Sequence, residues 1–159
     1  MNDDPYLLER FVAAQRDTYE IALEELKSGS KRNHWMGFVF PQVAGLGSNT
    51  VAVRYAIKSR QEAKAYLSHP ILGPRLMKCV EALLQIAGKS AEEVMGDPDD
   101  LKLKSSLTLF AAISTPGSLF HATLDRYFSG EADPRTLKYL AAHESDSKMP
   151  NQAGTCEGG

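Results

Sequence analysis

The chain of 159 residues lacks most of the features that announce a function. It has two cysteines, Cys79 inside a helical pattern and Cys156 in a polar stretch, too few for a disulfide framework. Its 18 basic and 20 acidic side chains nearly cancel, so it has none of the cationic excess that coats nucleic acid. No apolar run approaches the roughly 18 residues of a membrane span. Residues 1–5 are acidic, without the cationic start and apolar stretch of a secretion signal. The His-Glu-x-x-His and Cys-x-x-Cys metal motifs, the nucleophile elbow and the phosphate loop are all missing. The expectation is a soluble, cytoplasmic protein with no membrane or nucleic-acid partner, no metal and no cofactor. Its oligomeric state stays open.

The chain is instead rich in short helical patterns. With 43% hydrophobic residues it has enough apolar side chains for one core, and its length suits a single domain that buries roughly 70% of its extended surface. Over residues 5–26 the apolar positions Leu7, Leu8, Phe11, Val12, Tyr19, Ala22, Leu23 and Leu26 fall three and four apart, as one helix or two in tandem. Asp4-Pro5 is a start signal and Gly29 a stop. Residues 42–48 hold two glycines and read as a loop. Residues 50–57 alternate like a strand yet also fit a helical turn. Helix is favoured, because a lone two-stranded ribbon is marginal. Ser59 with Glu62, and Ser90 with Glu93, match the capping box. Asp97-Pro98 and Asp133-Pro134 pair a capping carboxylate with a first-turn proline. Further helices run from Leu72 towards Gly88 and from Leu119 to Gly130. The predicted fold is all-α: a compact multihelical domain over residues 1–143 with about seven short helices. A polar tail over 144–159 has no periodic apolar face and is expected to be disordered.

Several motifs have ordinary explanations. Gly45-Leu46-Gly47-Ser48-Asn49-Thr50 begins like a dinucleotide fingerprint but lacks the last glycine, and reads more simply as a turn with Ser48 or Asn49 capping a helix. His121 and Asp125 share a helix face and suit a surface hydrogen-bonded pair. Cys79, among Met77, Val80 and Leu83, fits a core cysteine. Two segments carry more. In residues 31–42, Lys31, Arg32, His34 and Gln42 flank the aromatic run of Trp35, Phe38 and Phe40, a mixture that suits either a pocket wall or plain core. In residues 102–110, Lys102, Ser105 and Ser106 interrupt an otherwise apolar helix. Their hydroxyls either return to carbonyls of their own helix or face a polar cavity. His69-Pro70, just ahead of Gly73-Pro74-Arg75, marks a helix junction where a histidine is a cap or a pocket wall.

Taken together these strings resemble one family. His34-Trp35-Met36-x-Phe38-x-Phe40-Pro41-Gln42 is similar to the hallmark of the family called domain of unknown function 1810. In the same order come Asp4-Pro5-Tyr6, Gly45-Leu46-Gly47, Tyr55-Ala56-Ile57-x-Ser59, His69-Pro70-x-Leu72-Gly73-x-Arg75-Leu76 and Lys102-Leu103-x-Ser105-Ser106-x-Thr108-Leu109-Phe110. The likeness spans roughly residues 4–140. It implies a multihelical fold and no particular reaction. The label calpastatin, sometimes attached to the family, does not fit a chain with the periodicity of a packed domain. Gly37 departs from the pattern, which leads one to expect tryptophan or another large residue there, and the departure would widen a local gap.

Two functions follow. The leading expectation is a small-molecule pocket for an anion resembling a nucleotide, phosphate or carboxylate. It would form where His34, Trp35 and Gln42 meet His69, Arg75, Lys102, Ser105 and Ser106. If a reaction occurs there, His34 or His69 would carry the proton, and Ser106 would donate a hydrogen bond rather than attack. The alternative is a helical interaction module whose aromatic run is a partly exposed patch.

Overall fold

Caps and prolines let the chain start a helix wherever apolar residues recur at helical spacing. The computed structural model describes residues 4–143. Ten helices lie among them: α1 Glu9–Gln15, α2 Tyr19–Ser28, α3 Met36–Val39, α4 Thr50–Arg54, α5 Arg60–Ser68, α6 Leu72–Gln85, α7 Ala91–Met95, α8 Asp99–Ala112, α9 Leu119–Phe128 and α10 Pro134–Ala142. The architecture is all-α, with more helices than the seven expected. The pattern over 5–26 breaks into α1 and α2 at a turn where the Thr18 amide donates to the Gln15 carbonyl. The aromatic run forms a turn of its own, α3. The tail expected to be disordered lies outside the described residues.

Local signals set most helix ends. Ser90 and Glu93 form a complete capping box on α7, Asp133 accepts the Thr136 amide at the head of α10, and Gly29 closes α2 at φ 79°, a left-handed conformation that glycine adopts freely. Asn49 caps α4 by accepting the Ala52 amide at 2.8 Å. Two expectations need correction. Asp97 does not cap α8: the residue before its first turn is Pro98, with no side-chain cap, and Asp99 and Asp100 supply the acidic first turn. At α5, Ser59 accepts the Glu62 amide, but the Glu62 carboxylate instead takes the Lys58 amide at 2.9 Å and an Arg10 guanidinium nitrogen at 2.9 Å.

The core gathers around α8, which buries Leu103 and every residue from Ser105 to Ala111 and packs against α9, α7, α10, α5 and α3. A file of rings crosses it: Phe11 to Tyr66 at 5.1 Å, Tyr66 to Phe110 at 5.5 Å and Phe110 to Phe120 at 5.6 Å between centroids. Each such ring, once buried, contributes about 1.5–3 kcal/mol. Cys79 belongs to this core, and burial pushes its thiol up to about 12. Among the described residues no helix is long and apolar enough to cross a membrane.

One segment stands apart. The Ile57 amide donates to the Gln42 carbonyl at 2.9 Å, and the Ala44 amide to the Ile57 carbonyl at 3.0 Å. This single parallel bridge between Val43 and Ile57 pins both ends of a loop that carries α4. The strand-like alternation over 50–57 therefore resolves into a helix followed by one bridge residue.

Candidate functional site

The site is built on a buried carboxylate. Glu25, on the last turns of α2, is 6% exposed. Its Oε1 accepts the Arg32 amide at 2.8 Å, the Asn33 amide at 3.1 Å and the Trp35 indole N–H at 2.8 Å, while Oε2 accepts the Asn33 side-chain amide. Burial alone would raise this carboxyl, but the donors from Arg32, Trp35 and Asn33 outweigh it and hold the group near 2 rather than 4.5. These bonds fix residues 32–35 in one course. Trp35 is thereby sealed in the core, fully buried, with the Lys31 ammonium 5.0 Å from its ring.

Lys31 carries the tether across to α8. Its amide donates to the Val94 carbonyl, and its ammonium lies 2.8 Å from Asp99 Oδ2 and 2.6 Å from the Asn33 carbonyl oxygen. The other oxygen of Asp99 is 3.7 Å from Lys102 Nζ, one turn along α8. Two lysines thus share one carboxylate. Lys31 is closely paired, its side chain 6% exposed, whereas Lys102 is looser and 39% exposed.

A cavity of about 640 Å³ opens between this wall and α4. His34, Gln42 and Lys102 line it, as do Lys31, Asp99 and Arg135. Phe38 and Tyr55 supply an aromatic surface, with ring centroids 5.4 Å apart at 58°. His34 is exposed, and neither it nor the Gln42 side chain makes a hydrogen bond among the described residues. Arg135 reaches the cavity from α10, its Nε 3.6 Å from the buried Asp133. The lining thus holds three permanent cations against one carboxylate, which favours an anion. Gly37 also borders it: a Cβ there would sit 2.5 Å from Val51 Cγ1, so the glycine permits the close approach of α4.

The remaining residues named from the sequence line other parts of the molecule. Trp35 backs the cavity from within the core without lining it. His69 accepts the Ile71 and Leu72 amides through Nδ1 at 3.1 and 3.3 Å and so anchors the start of α6. Arg75 donates to Gln15 Oε1 at 3.3 Å and lies 5.0 Å from the Tyr19 ring. The Ser105 hydroxyl donates its one proton to Asp133 Oδ2 at 2.9 Å, with the Leu101 carbonyl oxygen also within reach at 3.2 Å. The Ser106 hydroxyl is buried without a partner among the described residues and does not line the cavity. His121 pairs with Ser118 at 2.7 Å rather than with Asp125.

Several lining residues escaped the sequence reading. Asp99 had a local signal, its three-residue spacing to Lys102 in an acidic first turn. Arg135 had none beyond following a cap. Among the described residues no cluster of three or more His, Cys, Asp or Glu could hold a metal ion.

Residues 5–140 match the model of a family described as protein of unknown function (DUF1810), and the chain belongs to that family. The crystal structure of the conserved hypothetical protein Rv1873 from Mycobacterium tuberculosis is similar, with 53% identity, a TM-score of 0.85 and coverage of 87% of this chain and 99% of that one. No curated protein matches.

Proposed function

We propose that this member of the family is a cytoplasmic protein that binds a small anionic molecule in the cavity between α4 and the start of α8. The observation that carries the reading is that His34, Gln42 and Lys102 line one cavity, although they come from segments far apart in sequence. The volume falls within the range of small-molecule sites, and polar tips on an otherwise apolar lining are the usual means of orienting a ligand. Lys102 is the natural anchor, because Lys31 is already closely paired with Asp99. Should the site carry out chemistry, His34 is the proton carrier. His69 spends its Nδ1 on two backbone amides, whereas His34 lines the cavity, exposed and without a hydrogen-bond partner among the described residues.

The test is a thermal-shift screen of anionic metabolites against the parent protein and its His34→Ala and Lys102→Ala variants. An anion that stabilises the parent should lose most of its shift in Lys102→Ala, whose unliganded melting point should match the parent. Shifts that persist unchanged in both variants would place the ligand elsewhere. A second reading, a protein-interaction module, draws on the exposure of Val51 and Val53 on α4, at 47% and 62%. It predicts a partner whose binding fails in Val53→Asp and is indifferent to Lys102→Ala.

A further inference from the structure

We infer that the ligand of this cavity is a nucleoside monophosphate, its base against Phe38 and Tyr55 and its phosphate between Lys102 and Arg135. The inference rests on the reading of the cavity as an anion site and narrows it to one chemical class.

Size and the split between the walls come first. An inorganic anion would occupy only a corner of about 640 Å³. The α3–α4 side offers Phe38, Tyr55, Met36 and Val51, while the α8–α10 side offers Lys102 and Arg135. A molecule that satisfies both has an apolar body and an anionic end.

The amides decide what the body is. The Gln42 side chain has no partner among the described residues. Asn49 spends its carbonyl on the Ala52 amide and keeps its NH₂ for another acceptor. An alkyl chain would cover these groups without pairing them, which is unfavourable for a polar group taken out of water. A heterocyclic base presents donors and acceptors along its edge and a flat face to one of the two rings, the other ring, tilted by 58°, meeting its edge, which serves both needs at once.

Charge decides the anionic end. Lys31 and Asp99 cancel at 2.8 Å, leaving Lys102 and the outer nitrogens of Arg135 to the ligand. Two cations, one of them a planar fork, match a phosphate monoester carrying about −1.5 to −2 better than a single carboxylate. Gly37 sets how the ring wall meets α4. A Cβ there would lie 2.5 Å from Val51 Cγ1, so a side chain at Gly37 must shift Val51, itself a lining residue, and change the shape of the surface that the base would meet.

The experiment titrates the four common nucleoside 5′-monophosphates, adenosine, inorganic phosphate and octanoate into the parent protein by calorimetry. Trp35 fluorescence gives a second readout, since it is the only tryptophan and contacts a lining lysine. At least one monophosphate should bind ten times more tightly or better than adenosine, phosphate or octanoate. Lys102→Ala should weaken it tenfold or more and leave the weak adenosine affinity unchanged. Gly37→Ala should weaken the monophosphate and spare inorganic phosphate, and adding Val51→Ala should restore it. Octanoate or phosphate binding as tightly as every monophosphate would overturn the nucleotide assignment and leave the anion site standing. So would a different anion that stabilises the protein through Lys102 while no monophosphate binds. If no anion of any kind binds through Lys102, the broader reading falls as well.

Discussion

The two walls of the cavity are held by opposite means. On one side, residues 31–35 are tied to Glu25 by four hydrogen bonds and to α8 by the Lys31–Asp99 pair at 2.8 Å. On the other, α4 buries none of its residues and is held by one cap, a bridge at its feet, the bare backbone of Gly37 and one Arg10 bond to the Arg54 carbonyl at 2.8 Å. The cations that would grip an anion, Lys102 and Arg135, stand on α8 and α10 beside the tethered wall. The surface that would shape itself to the rest of the ligand is the lightly held one. Cations carried on packed helices leave only their own side chains to be ordered on binding, whereas a wall with few buried contacts opens at low free energy. The difference is testable from both sides.

The largest effect should come from the tethered wall. Glu25→Ala strands the buried Trp35 indole N–H and frees two partly exposed backbone amides, and bonds to a charged acceptor are each worth about 1.5–3 kcal/mol without adding fully. A loss of about 3–4 kcal/mol is expected, roughly a 10 °C fall in melting temperature for a domain this size. A melting curve within 2 °C of the parent would mean that the tether is decorative and the two walls are alike.

Acid gives a milder version of the same test. Because the Glu25 carboxyl is held near 2 in the folded chain against 4.5 when free, the unfolded state takes up the proton first as pH falls. The stability it contributes is complete above about pH 4.5 and drains away between there and pH 2. Chemical denaturation at stepped pH should show this slope in the parent and a flatter one in Glu25→Gln. Equal slopes would assign the acid sensitivity to other carboxylates, of which Asp133, also held below its usual range by the Thr136 and Ser105 hydroxyls despite its burial, is the natural next suspect.

The same contrast explains what could be read from the sequence. Helix ends set by residues three or four apart, such as Ser90 with Glu93 or Asp133 with Thr136, were legible because both partners sit in one short string. Glu62 was half legible: its box with Ser59 is local, but Arg10, 52 positions away, claims the carboxylate. In the site, polar residues among apolar neighbours gave one signal for two destinies. His34, Gln42 and Lys102 reach the cavity, while Trp35 and Ser105 carry the identical pattern and are consumed by the buried carboxylates of Glu25 and Asp133. Periodicity cannot separate them, since it shows which face a residue is on and not which distant acceptor waits there. Lys31 with Asp99, and Arg135 beside them, are products of packing alone.

The smallest effect should come from the lightly held wall, and its smallness is the point. Asn49→Ala removes the side-chain oxygen that satisfies the Ala52 amide, a change that costs about 1 kcal/mol at an ordinary helix start. At α4 little of that cost is shared with the core, because none of the helix is buried and the Arg10 bond to the Arg54 carbonyl ties only its last residue, leaving α8 undisturbed when the first turn opens. The melting temperature should therefore barely move, while amide exchange at residues 52–55, whose carbonyl partners lie within α4 or at its cap, should quicken about fivefold as the local opening grows more favourable by that amount. A global fall of several degrees would show that α4 is cooperative with the core after all, and the cavity would then have two rigid walls.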